Sequence, residues 1–106
     1  MITKPENDTD LLLKINMETA RLPWTELIRH FAAGSVLTLS NELDLVDVAA
    51  RISRDDKESI GRWMAEGKLG KVSDRQARDW LAADARLWSV VVSPFILVQQ
   101  EKPGPL

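Results

Sequence analysis

The segment from Leu43 to Trp88 constrains the fold most strongly, because it contains three consecutive helical patterns, each preceded by a residue type that caps helices. The first pattern, Leu45–Ile52, follows Asp44 and places apolar residues at i, i+3, i+4 and i+7. The later two begin after Asp55 and Ser73. Three amphipathic helices in succession predict a domain in which helices pack on a shared core.

Two of these helix starts match the capping-box spacing, in which the N-cap side chain and the third helical residue bond each other's backbone. The pairs are Asp55 with Glu58 and Ser73 with Gln76. We predict one helix over 56–66 and another over 74–86.

The strongest strand pattern covers Trp88–Gln100, where apolar residues are continuous rather than alternating and therefore predict burial on both faces. Pro94 lacks a backbone N–H, so it marks an edge position, a bulge or a break into two short strands. Two shorter strands are predicted at Val36–Leu39 and Leu69–Val72.

The first third of the chain is expected to be helical. A helix pattern runs from Asp8 or Asp10 to Arg21 and stops before Pro23, and a second covers 24–33 with Gly34 as its C-cap. The predicted fold is α+β, with about five helices packed on a small three-stranded sheet and a helix-turn-helix-like pair in the middle. Residues 1–8 and 101–106 are expected to form disordered tails around a single domain spanning 9–100.

Composition narrows the classes of function. The formal net charge of −2 argues against a strongly basic nucleic-acid binder, and the absence of cysteine excludes disulfides and thiolate metal sites. The N-terminus does not have the pattern of a signal peptide, and the apolar runs fall short of the roughly 20 residues that a membrane-spanning helix needs. We therefore expect a cytoplasmic protein without a membrane partner.

A series of landmark residues runs across 15–100. They are Glu18-Thr19-Ala20, Pro23-Trp24, Glu26-Leu27, Phe31-Ala32, Leu43-Asp44-Leu45-Val46, Asp55-Asp56, Trp63, Trp80, Leu87-Trp88, Val90-Val91, Pro94 and Leu97-Val98-Gln99. In their order and spacing these landmarks resemble a family of small bacterial proteins whose function is unassigned. This resemblance implies a self-contained bacterial domain and transfers no activity.

Nucleic-acid binding is the second hypothesis for the function. The first turns of the 56–66 helix are rich in carboxylates, which a phosphate backbone repels. The candidate contacts are instead the basic cluster, defined as Lys68, Lys71, Arg75 and Arg78. The alternative is that these residues form an ordinary charged face in solvent, with no function in binding.

The sequence offers two candidate residues for catalysis, His30 and Asp84, and no complete catalytic set. His30 has no second histidine or cysteine to join it, so neither a metal site nor a catalytic residue is predicted, and no cofactor is expected. Asp84 falls among apolar residues of the 74–86 helix, which predicts a carboxylate at least half buried and held by a structural partner. A small-molecule or enzymatic role around Asp84 ranks third.

The leading hypothesis is a non-catalytic domain that acts through contacts with an unknown protein partner. A homodimer is also predicted, because a three-stranded sheet would leave the apolar 88–100 strand with an edge to cover.

Overall fold

The computed structural model describes the backbone of residues 8–100 and the side chains of residues 10–100. The predicted tails, except Asp8, lie outside the described residues. The elements follow in the order α1 Asp8–Glu18, β1 Ala20–Pro23, α2 Trp24–Ala32, β2 Val36–Leu39, α3 Leu45–Ser53, α4 Lys57–Ala65, β3 Leu69–Lys71, α5 Asp74–Ala82, β4 Arg86–Val92 and β5 Phe95–Gln99.

The strands form one mixed sheet in the order β1-β4-β5-β2-β3. Every neighbouring pair is antiparallel except β2 and β5, which run parallel. β4 and β5 form a hairpin whose turn holds a cis Ser93–Pro94 peptide bond. The most apolar segment of the chain therefore lies in the middle of the sheet.

Helices cover both faces of the sheet, which explains why β5 is apolar on successive residues. Side chains of Leu37, Leu39 and Leu97 pack with α1, α3 and α4 on one face. Val36 and Val98, each adjacent in sequence to one of those leucines, pack with α2 and α5 on the other face. We call these the α3 face and the α2 face. Alternation of side chains along each strand separates the two cores.

The α+β class agrees with the structure, but the predicted three-stranded sheet is wrong, because the sheet has five strands. One extra strand arises at Pro94, where the 88–100 segment divides into β4 and β5. The other is β1, whose first two residues fall within the first predicted helix. Its residues pair with 86–89 of β4, a long-range contact that local patterns do not reveal.

Four helices end in the same way, with a residue of positive φ immediately beyond the last turn. These residues are Gly34 (φ 81°), Asp55 (58°), Gly67 (75°) and Asp84 (53°). At α5, for example, the Asp84 N–H donates to the Leu81 carbonyl and the Ala85 N–H to the Trp80 carbonyl. This is the Schellman pattern, in which a left-handed residue closes the last turn.

The predicted helix starts are confirmed at two positions and wrong at a third. The Asp44 side chain accepts a hydrogen bond from the Val46 N–H, and Ser73 with Gln76 forms the predicted capping box. The Asp55–Glu58 box does not form. Asp55 instead closes α3, and Asp56 is the N-cap of α4. Adjacent aspartates thus end one helix and begin the next.

Within residues 8–100, no helix has both the length and the apolar character required to cross a membrane.

Candidate functional site

The basic cluster is not one uniform charged patch. The Lys68 ammonium lies 3.3 Å from Glu42 Oε1 and 3.5 Å from Glu66 Oε1. The Glu42 carboxylate, followed by Glu66, raises the pKa of Lys68. Because its charge is balanced locally, Lys68 contributes little to any attraction for a polyanion.

The other three members of the basic cluster are exposed. Lys71 ends β3, and Arg75 and Arg78 lie three residues apart on α5, where spacing places side chains on one side of a helix. Lys68 and Lys71 share a groove of about 420 Å³ with Gln76, while neither arginine lines it. The structure thus brings the two lysines together and leaves the arginines outside the groove.

Asp84 is exposed, so the prediction of a carboxylate at least half buried is wrong. The 74–86 helix was extended too far: α5 ends at Ala82, and Asp84 occupies the left-handed position after it. A sequence signal for this end exists, since Ala82-Ala83-Asp84 repeats the Ala32-Ala33-Gly34 pattern that ends α2. The exposed turn position of Asp84 does not place its carboxylate in an apolar cleft.

We predict that Asp84→Gly stabilises the domain by about 0.5–1 kcal/mol, because glycine adopts positive φ without a Cβ penalty. Asp84→Val should destabilise it, since a β-branched residue tolerates this conformation poorly. Urea denaturation followed by far-UV circular dichroism would measure both changes. A lower stability for the glycine variant would show that the aspartate side chain contributes more than the backbone conformation.

A polar network joins α3 to α4 at Arg51, Asp56 and Ser59. Arg51 Nη1 donates to Asp56 Oδ2 and to Ser59 Oγ, each at 3.1 Å. Asp56 also accepts from the Ser59 backbone N–H at 3.2 Å and from its hydroxyl at 2.9 Å. These bonds from Ser59, followed by the one from Arg51, lower the pKa of Asp56. The network assigns Asp56 a structural role as the N-cap of α4.

We expect the free energy of unfolding to fall in acid, partly because the Asp56 carboxylate becomes protonated. Its pKa is lower in the folded chain than in the unfolded chain, where the pKa of an aspartate is about 3.9. The contribution is therefore complete above the unfolded pKa and is lost as pH falls through the folded pKa. Urea denaturation repeated at pH values from neutral to acid should show a smaller loss of stability for Asp56→Asn than for the native chain. Equal losses in the two proteins would contradict this assignment.

A second groove, of about 350 Å³, lies between α2 and the sheet. We call it the α2 groove. Its apolar lining includes the buried Leu27 and Ile96 and the half-buried Leu22, and the exposed side chains of Glu18 and Glu26 line it as well. His30, also exposed, completes its α2 side. The groove thus combines an apolar lining with two carboxylates.

Val91 lines the α2 groove and is unusually exposed for an apolar residue of the sheet. Its side chain is 62% exposed, whereas Val90 and Val92 are 2% and 8% exposed. β1 pairs only with residues 86–89, so the second half of β4 extends beyond it. We call residues 90–92 the β4 overhang.

Residues 10–100 match the family described as "Protein of unknown function (DUF2288)". The chain belongs to the DUF2288 family. The resemblance predicted from the sequence is thereby confirmed. The DUF2288 chain is also similar to PA1075 from Pseudomonas aeruginosa, whose NMR solution structure has 36% sequence identity and a TM-score of 0.77. That alignment covers 100% of this chain and 99% of the other. No curated protein matches the chain.

Metal-binding groups do not cluster in the described part of the DUF2288 domain. Among residues 8–100, no group of three histidine, cysteine, aspartate or glutamate side chains is arranged to hold a metal ion. The α2 groove and the β4 overhang are the features that sequence reasoning missed. Both depend on where β1 stops along β4, and the strand pattern of the sequence does not contain that information.

Proposed function

We propose that this DUF2288 chain is a bacterial cytoplasmic domain that works by binding another protein at the α2 groove. The observation that carries the proposal is the apolar lining of this groove together with Val91 at its end, whose side chain is 62% exposed. Apolar surface bordered by polar groups is typical of protein-interaction sites. The bacterial source of the similar PA1075 protein supports the first part of the proposal.

The carboxylates define the chemistry of the partner. Glu18 and Glu26 are exposed at the groove, and the arginine of α2, Arg29, does not line it. A partner segment with apolar side chains and at least one lysine or arginine therefore complements the groove in both shape and charge. Apolar contacts would supply most of the affinity, and the carboxylates would select among partners.

Charge reversal at Glu26 tests this proposal against a matched control. Glu26 and Glu58 are both exposed glutamates in the first turn of a helix, α2 and α4 respectively. Reversal therefore has a similar effect on each helix dipole, and only Glu26 lines the groove. Tagged native protein, Glu26→Arg and Glu58→Arg would be crosslinked in bacterial cells and their partners quantified by mass spectrometry.

The proposal requires a partner that is retained by native protein and Glu58→Arg but lost from Glu26→Arg. Its contact segment, mapped by the crosslinks, should contain apolar and basic residues. A partner captured equally by all three proteins, or crosslinked only on another surface, would refute binding at the α2 groove.

Nucleic-acid binding through Lys71, Arg75 and Arg78 is the alternative proposal, supported by the exposure of these three side chains. With so few phosphate contacts, we expect weak binding at low salt that vanishes near physiological ionic strength. Fluorescence anisotropy with labelled duplex DNA would measure it. Tight binding that survives at physiological salt and is lost in Lys71→Glu/Arg75→Glu would reverse the order of the two proposals.

A further inference from the structure

The groove of about 420 Å³ that contains two lysines of the basic cluster lies on the α2 face of the sheet. Thr38 and Gly70 line it and are partners across the β2–β3 pair. The residues on either side of Thr38, Leu37 and Leu39, pack on the α3 face, so alternation places Thr38 and Gly70 on the α2 face. Gln76 of α5, a helix of that same face, also lines the groove. We call it the β2–β3 groove.

Gly70 keeps the floor of the β2–β3 groove open. A Cβ added to Gly70 would meet no heavy atom within 4 Å beyond its own chain neighbours. The φ of Gly70 lies outside the left-handed region, so the backbone does not require glycine at this position. A larger side chain at position 70 would therefore occupy the groove without straining β3.

The polar side chains that line the groove retain unused hydrogen-bond donors. Ser40 Oγ accepts from the Glu42 N–H at 3.1 Å, and Gln76 Oε1 accepts from the Ser73 N–H at 3.0 Å. The Ser40 hydroxyl proton and the Gln76 Nε2 group donate to no acceptor within residues 10–100, and the Thr38 hydroxyl makes no hydrogen bond in that range. Because acceptor atoms of two of these side chains are already occupied, the lining favours a ligand that accepts hydrogen bonds.

The two lysines add further donors and a positive charge. An ammonium group has three N–H donors, and Lys68 lies at ion-pair distance from Glu42 and Glu66, which leaves one donor for a ligand. Lys71 forms no ion pair with any carboxylate of residues 10–100, so its charge is not balanced locally. No aspartate or glutamate of the same range lines the groove. Lys71 therefore attracts an anion to the groove, and Lys68 offers it a hydrogen bond.

We propose that the β2–β3 groove binds a small organic oxyanion, a carboxylate or a phosphate ester, whose oxygen atoms accept hydrogen bonds from Lys68, Lys71 and the neighbouring donors. Met64, which is 46% exposed, lines the same groove and supplies an apolar wall for the carbon chain of the ligand. The volume of about 420 Å³ is within the range of small-molecule sites. The site is separate from the α2 groove, since no residue lines both grooves.

The first experiment titrates the purified, ¹⁵N-labelled chain with hexanoate and with hexyl phosphate at constant ionic strength. We expect at least one of them to shift the amide signals of Thr38, Ser40 and Gly70 with saturation in the millimolar range, which is typical of a ligand with so few atoms. The tighter of the two identifies the preferred head group. Hexylamine carries the same carbon chain with the opposite charge and should not shift these signals. Equal shifts with hexylamine, or no saturable shift with either anion, would overturn the proposal.

Two pairs of variants locate the binding. Gly70→Val should abolish it by filling the groove, whereas Gly61→Ala, at a glycine of α4 that also has open space and does not line the groove, should retain it. Lys71→Met should weaken binding by about fivefold or more, because a hydrogen bond to a charged group is lost. Arg75→Met removes an equal charge from an exposed residue outside the groove and should have little effect.

The dispersion of the amide signals checks that each variant is folded. Anion binding that survives in Gly70→Val, or that falls equally in Lys71→Met and Arg75→Met, contradicts a site in the β2–β3 groove. The comparison of Lys71→Met with Arg75→Met decides the question by itself if Gly70→Val does not fold. These measurements use the purified chain alone, so they are independent of the partner protein proposed for the α2 groove.

Discussion

Trp24→Ala is expected to destabilise the folded domain by about 3–5 kcal/mol, the range for removing a large aromatic side chain from a core. Trp24 is 2% exposed and lies where α2 meets α5. Its ring centroid is 5.1 Å from that of Trp80, edge to face, and 5.5 Å from that of Phe31. The substitution therefore removes contacts with both aromatic neighbours and leaves a cavity beneath the helices.

Urea denaturation followed by far-UV circular dichroism would measure this loss without relying on tryptophan emission. Leu81→Ala is a suitable control because Leu81 lies on α5 but is 53% exposed, so its change should stay within about 0.5 kcal/mol. Trp24→Phe should fall between the two, since it retains an aromatic ring. Similar losses for Trp24→Ala and Leu81→Ala would contradict the assignment of Trp24 to the core.

Gln99→Ala is expected to destabilise the domain by about 2–4 kcal/mol, because it leaves a cavity and removes the two hydrogen bonds that this buried side chain donates. Gln99 is fully buried at the end of β5. Its Nε2 donates to the Ser40 carbonyl at 2.9 Å and to the Leu43 carbonyl at 2.6 Å. The side chain thus fixes the connection between β2 and α3 to the centre of the sheet.

Two further variants separate the causes of this loss. Gln99→Leu fills the space but donates no hydrogen bond, so it should retain a loss of about 1–3 kcal/mol. Gln100→Ala, at the adjacent exposed position, should change stability by less than about 0.5 kcal/mol. If Gln99→Leu proves as stable as the native chain, the two hydrogen bonds do not hold the connection.

The sequence by itself determined the features that depend on neighbouring residues. The Asp44 cap, the Ser73–Gln76 capping box and the strand Val36–Leu39 all follow from contacts or preferences within a few positions. At Pro94 the sequence left an edge position, a bulge and a break as alternatives, because a residue without an N–H cannot donate to a ladder, and the structure shows the break. The continuous apolar run over 88–100 indicated burial on both faces, which agrees with β5 but not with Val91 of β4, whose side chain is 62% exposed.

Only the tertiary structure decided the features that depend on distant pairing. β1 is a strand because Ala20 meets Ser89 and Pro23 meets Arg86, partners that no local pattern specifies. The same pairing leaves Val91 exposed beside the buried Val90, although the two side chains are identical. The exposure of each valine depends on the face on which it lies and on the position where β1 stops. Water is excluded from a strand residue by the elements that pack around it, so the residue type alone does not set its burial.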